Sequence, residues 1–259
     1  MNSNAGRRHG REGDERAVVL ITADDPLALE ATAAVQAGDF DALDRLLSTH
    51  PEVAKARIGD QDCSRTLLHA ATDWPGHFPN GPAVVARLVQ AGADVNARWV
   101  GDPAPETPLH WAASSNDVAV LDALIDAGAD IEAPGAVLGG GSPLADACGF
   151  ANWAAAHRLV ERGARTRLKD AAALGLIDRV RAVFATATPP EPDEITRAFW
   201  SACHGGQRRT AEYLLERGAD LNWVGWDDLT PLDAAARSNS QDLVALLRSR
   251  GAKSSEDLA

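Results

Sequence analysis

The chain has 259 residues, 45% of them hydrophobic, and a formal net charge of -12 at pH 7, so it is long enough to bury a large core. Its only lysines are Lys55, Lys169 and Lys253, and a field of this sign repels phosphate backbones and anionic membranes; it excludes nucleic acid as a natural partner and steers in a basic or polar surface. The three cysteines, Cys63, Cys148 and Cys203, lack disulfide-framework or metal-ligand spacing and read as small apolar side chains in a reducing compartment.

In chain order, residues 1–16 are polar and rich in Arg and Gly, which predicts a disordered tail. The apolar run from Ala17 to Thr22 is far too short for a signal-peptide core or a membrane span, and Arg7-Arg8 lacks the apolar region that twin-arginine export requires. A cytoplasmic protein without a membrane anchor is the expectation, with Val18 to Ile21 a short extended segment near the first helices. Next come Ala31, Ala34, Val35, Phe40, Leu43, Leu46 and Leu47, apolar at helical spacing and broken at Gly38-Asp39, which predicts two helices joined by a turn.

From residue 66 onward one pattern recurs. Its best copy is Thr107-Pro108-Leu109-His110-Trp111-Ala112-Ala113; others begin at Thr66, Ser142 and Thr230, with Ala145 and Asp233 in place of the His. Each copy runs into an apolar helical stretch ending in Gly-Ala, at Gly92, Gly128, Gly163 and Gly251, and three of these stretches span 21 residues. Counting back from Gly218-Ala219-Asp220 places a further copy at Arg197, and Thr166 to Ala172 reads as another, with Arg167 for the Pro and Lys169 for the His. The copy at Thr66 is longer, because Trp74 to Pro82 carries three prolines in nine residues and cannot be helix interior. It is either a tolerated surface insertion or a lip that sets Trp74, His77 and Phe78 beside the binding face.

These residues resemble the ankyrin-repeat family, whose Thr-Pro-Leu-His-x-Ala signature recurs about every 33 residues. The resemblance implies an all-α solenoid of about seven helix-turn-helix repeats with short hairpin fingers. The repeats fall near 29–65, 66–106, 107–141, 142–165, 166–196, 197–229 and 230–254, within a single domain spanning 17–254. It also implies that His69 and His110 are structural, hydrogen-bonding within and between repeats. Thr66, Thr107 and Thr230 fit helix N-caps, with Pro108, Pro143 and Pro231 in the tolerated first turn.

In this family the residue after the motif His, the residue three further on, and the finger tips line the concave recognition face. Helical spacing independently sets the first two on one side, opposite the packed Leu109 and Ala112-Ala113. The candidate binding residues are therefore Asp73, Trp74, Trp99, Trp111, Ser114, Asp146, Asp170, His204, Trp223 and Trp226. The tryptophans are either recognition anchors or packing between fingers. Asp73, Asp146, Asp170 and His204 are raw material for acid-base chemistry, but no phosphate loop, nucleophile elbow or paired ligand spacing accompanies them, so no catalytic residue, metal or cofactor is assigned. The expected function is a monomeric protein-interaction module; the alternative is a small-ligand-binding or catalytic protein using the acidic groove around Asp146 and Asp170.

Repeat spacing adds one geometric expectation. Only Ala164 and Arg165 separate Gly163 from Thr166, too few for a hairpin, so the finger between repeats four and five should be missing. Either this is a simple deletion, or it opens a notch floored by Asp146 and Asp170.

Overall fold

The computed structural model describes residues 19–258; the predicted tail, residues 1–16, lies outside the described residues, as does Val18. The chain enters as a two-residue strand β1 (Leu20–Ile21) and then builds helices in pairs. α1 (Pro26–Ala37) starts at a proline behind the N-cap Asp25 and ends at Gly38 in the left-handed region, so its first turn lies three residues ahead of the Leu29 expected as the repeat start. α2 (Phe40–Thr49) follows, capped by Asp39. After a 3-10 turn at Pro51–Ala54, strands β2 (Arg57–Gly59) and β3 (Ser64–Arg65) form the first finger. β1 pairs with β2 in parallel and β2 with β3 antiparallel, so the extended N-terminal segment is held on the first finger by backbone hydrogen bonds.

The remaining pairs are α3 (Leu67–Ala70) with α4 (Gly81–Gln90), α5 (Pro108–Ser114) with α6 (Val118–Asp126), and α7 (Pro143–Gly149) with α8 (Trp153–Glu161). Then come α9 (Leu168–Ala173) with α10 (Ile177–Phe184), α11 (Pro192–His204) with α12 (Arg208–Leu215), and α13 (Pro231–Arg237) with α14 (Gln241–Ser249). These seven pairs, fourteen helices among the described residues, make the all-helical solenoid that the repeats predict. First helices pack on first helices, as α5 does on α7 and α11 on α9 and α13; second helices pack on second helices, as α4 does on α6. The two rows bury Leu68, Leu109, Leu121, Leu124, Leu144 and their equivalents completely.

The repeated signature does the same local work each time. In α5 the Thr107 backbone N–H donates to His110 Nδ1 at 3.1 Å, and in α3 Thr66 N–H donates to His69 Nδ1 at 3.3 Å. With Nδ1 accepting, Nε2 carries the proton and reaches the next finger: His69 to the Glu106 carbonyl at 3.2 Å and His110 to that of Gly141 at 3.5 Å. Burial, the larger influence, pushes His69 to about 3 and His110 to about 4, so both rings are neutral at pH 7. Asp233 replaces the His in the last repeat, taking the Thr230 N–H at 3.1 Å. The two cysteines at the Ala113 position, Cys148 and Cys203, are buried thiols that burial pushes well above their ordinary value; Cys63 is exposed.

Repeat five departs from this scheme. No strand or turn-closing hairpin lies between α8 and α9, so the fourth finger is missing, as its spacing requires. The N-cap is Arg167, one residue later than Thr166, because Lys169 at the His position has no acceptor to offer. Asp170 turns back instead and takes the Arg167 N–H on Oδ2 at 2.9 Å. Here the buried apolar side chains also divide: one cluster runs from Ala28 to Leu174, the other from Leu168 to Leu247, and half-buried Leu176 touches both.

Candidate functional site

Two hollows lie side by side on the face formed by the first helices and fingers. The first, about 220 Å³, is lined by Thr72, Asp73, Trp74, Glu106, Trp111, Ser114, Ser115, Val137 and Phe150. The second, about 210 Å³, is lined by Leu138, Ala145, Cys148, Gly149, Phe150, Lys169, Asp170, Ala173, Trp200, Ser201, His204, Trp226 and Asp227. Phe150 belongs to both and is 48% exposed, so it forms the ridge between them.

Small groove residues create the second hollow. Where repeat three has Trp111 and Ser114, repeats four to six present Asp146 and Gly149, Asp170 and Ala173, and Ser201 and His204. Gly205 lets α11 close on α9, since a Cβ there would stand 1.9 Å from the Ala173 carbonyl oxygen. Gly149 leaves room for Leu138, whose Cδ1 would lie 2.2 Å from an added Cβ. As a result the His204 ring meets Trp153 edge-on at 5.4 Å, two repeats away. Helices stacked at roughly 8–10 Å would leave repeats four and six about 16–20 Å apart, so contact needs this hollowed middle repeat.

The aromatic side chains form two groups. Trp111 meets Trp99 at 5.9 Å and His69 at 5.0 Å, both edge-on, and donates its Nε1–H to Glu106 Oε2 at 3.0 Å. Trp226 meets Trp200 at 4.9 Å and Trp223 at 5.7 Å, while Trp200 stacks on His204 at 5.2 Å. Trp200 occupies the motif His position, and its Nε1–H donates to the Leu229 carbonyl at 2.9 Å, the bond to the next finger that histidine makes elsewhere.

Of the candidate residues, Asp73, Trp74, Trp111 and Ser114 line the first hollow and Asp170, His204 and Trp226 the second. Trp99 and Trp223 stand behind Trp111 and Trp226 as supports. Trp74 is 82% exposed at the lip of the long connection. Asp146 corrects the expectation of a groove-facing carboxylate: it is fully buried, its Oδ1 taking the Leu138 N–H at 3.3 Å. Its Oδ2 has no hydrogen-bond partner, while Glu106 Oε1 takes the neighbouring Val137 N–H at 3.3 Å, so two carboxyl groups clamp consecutive amides of one finger. Burial and then the Glu106 carboxyl push Asp146 far above the usual carboxylate range, so it holds a proton at neutral pH.

The notch also differs from expectation. The gap left by the missing finger is lined by Glu132, Pro134, Gly141, Ser142, Arg165, Thr166 and Arg167, with neither Asp146 nor Asp170 at its floor. Asp170 lines the second hollow instead. It is 4% exposed, burial pushes its carboxyl upward against the opposing Arg167 N–H, and its Oδ1 has no hydrogen-bond partner. His204 Nε2 is likewise unpartnered, and burial pushes the ring below its ordinary value, leaving it neutral at pH 7.

Sequence reasoning missed Phe150, Leu138, Glu106 and Trp200. Phe150 had a signal: it stands where repeats three and seven have Ser115 and Ser238, an aromatic ring at a polar loop position. Trp200 had one too, as the residue at the motif His position. Leu138 and Glu106 act through the fold of a Gly-rich finger, which repeat spacing does not encode.

Stacked helix pairs, fingers tied by His or Trp, and a hollow inner face make up the ankyrin-repeat fold, and the chain has that fold. A family model described as ankyrin repeats, in three copies, matches residues 31–135. Among curated proteins, an ankyrin repeat and KH domain-containing protein from Caenorhabditis briggsae is 29% identical over 217 residues, covering 83% of this chain and 7% of that protein. The ankyrin repeat and KH domain-containing protein mask-1 of Caenorhabditis elegans is 28% identical over 170 residues, covering 65% of this chain and 5% of the relative. The chain thus spans a small fraction of the curated relatives it matches. The crystal structure of the human ASB11 ankyrin repeat domain is similar at 26% identity and a TM-score of 0.44, covering 75% of this chain and 92% of that one. No described helix is long and apolar enough to cross a membrane.

Proposed function

We propose that the chain, as one array over residues 17–254, is a monomeric cytoplasmic interaction module that holds an extended segment of a protein partner across the two hollows. Ankyrin repeats generally mediate protein-protein interaction. The observation that carries the finer reading is the apolar ridge on this face: Leu138, Phe150 and Trp226 are 37%, 48% and 41% exposed around a hollow that also contains an unpartnered buried carboxylate oxygen. Large apolar side chains held open beside polar groups are the composition of a recognition hot spot. At about 210 Å³ the second hollow is smaller than the roughly 300–1,000 Å³ of drug- and cofactor-sized sites, which favours a partner side chain over a resident small molecule. The net charge of -12 favours a basic partner.

The test is capture of partners from the native source by the wild-type chain, followed by affinity measurement with Trp226→Ala, Trp111→Ala and the outer-helix control Arg209→Ala. Loss of an anchor costs about 2 kcal/mol, roughly thirtyfold in affinity. The reading expects that loss for the tryptophan variants at unchanged fold, and none for Arg209→Ala. Equal affinity in all four proteins would refute it.

A further inference from the structure

Within the proposed recognition groove, on whose reading this inference rests, the second hollow has a definite chemistry. Its walls are flat and aromatic: the Trp200 and Trp226 indoles meet edge to face at 4.9 Å, and Phe150 also lines it. Its buried polar wall is Asp170, with Oδ2 committed to the Arg167 N–H and Oδ1 without a partner. A buried carboxylate oxygen left unmatched is costly, and a donor brought by a ligand removes that cost.

A cation already visits this site. Lys169 Nζ lies 5.7 Å from the centre of the Trp226 ring, yet leaves Asp170 Oδ1 unpaired. The free protein therefore shows an indole face that accepts positive charge beside a carboxylate that its own lysine does not reach. Asp227, on the same rim, is taken by Arg237 at 2.7 Å and does not compete for an incoming cation.

We propose that this hollow is a side-chain pocket for an arginine of the partner. A guanidinium is planar and weakly hydrated, so it stacks on an indole while its N–H fork reaches a buried carboxylate; an ammonium is compact and strongly hydrated, and a phenol supplies one neutral donor without charge. The guanidinium enters over Trp226, displaces the Lys169 ammonium toward solvent, and donates to Asp170 Oδ1. The acidic field of the whole chain draws the same charge in.

The test uses the isotope-labelled full chain and capped single amino acids, reading the indole N–H resonances of Trp200 and Trp226. N-acetyl-arginine amide should shift Trp226 saturably, more strongly than the lysine, tyrosine or glutamate analogues. Asp170→Asn, which keeps the cap to Arg167, should weaken arginine binding about tenfold or more, the scale of one charge-assisted hydrogen bond. Lys169→Met, at a half-buried position, should strengthen it, and serves if the Asp170 variant does not fold. The assignment is overturned if the tyrosine analogue shifts Trp226 as much as the arginine one, or if neither variant alters arginine binding. If arginine fails while Trp226→Ala still releases the captured partner, the guanidinium assignment falls alone; if Trp226→Ala retains the partner, the groove reading falls with it.

Discussion

Truncating one leucine on each side of repeat five tests how the array is held together. Leu124 in α6 and Leu214 in α12 are both fully buried, but they belong to different apolar clusters that meet only around α9. A buried Leu→Ala change costs about 2–5 kcal/mol from lost transfer energy and the cavity left behind. In a one-dimensional stack that cost is felt first by the mutated repeat and its neighbours, and crosses to the other block only through the intervening interface. For Leu124→Ala a cost of about 3 kcal/mol corresponds to a rise of about two orders of magnitude in exchange from the opened state. That rise should fall on amides of α3 to α8 and leave α11 to α14 near wild-type protection; Leu214→Ala should give the converse. Hydrogen exchange read by mass spectrometry on peptides from each pair reports this directly. Equal acceleration in all seven pairs for both variants would refute the divided core.

Three further outcomes follow from single side chains. Trp200→Phe should lose about 1–3 kcal/mol, because the Leu229 carbonyl loses the indole donor, whereas Trp200→His should recover part of it; a thermal melt that ranks His below Phe contradicts the substitution of indole for imidazole. Gly205→Ala should cost about 1–3 kcal/mol, since the new methyl must push α11 away from the Ala173 carbonyl; an unchanged melting temperature would show that the two helices are free to separate. Asp146 is protonated in the fold at neutral pH but ionises above its ordinary value of 3.8 in the unfolded chain, so the folded state binds the extra proton. Its contribution is therefore full below about pH 4 and falls as pH rises through the neutral range, by up to about 1.4 kcal/mol per unit. Asp146→Asn should gain on wild type between pH 5 and pH 8 in denaturant midpoints, and a constant difference would refute a buried, protonated Asp146.

Much of this was legible because ankyrin repeats write their packing in sequence. Thr107 and His110 recur with the same roles as Thr66 and His69, and the spacing from Gly163 to Thr166 gave away the missing finger. What the repeats could not give was the consequence of small residues acting together. Gly149, Ala173 and Gly205 are unremarkable one by one, yet side by side they let His204 reach Trp153 and hollow out the second pocket. Asp146 misled because its position predicts the groove, while Leu138 from a Gly-rich finger covers it. Asp170 lines the second hollow rather than the notch, and its capping of Arg167 depends on a helix start shifted by one residue, which the motif conceals.

The claim that a partner lies across the ridge between the two hollows is tested most directly by site-specific photo-crosslinking. A benzophenone side chain at Phe150, shared by both hollows, should capture the partner, and the same group at the exposed Arg209 on α12 should not. Capture from Arg209 with none from Phe150 would place recognition on the opposite row of helices and contradict the account.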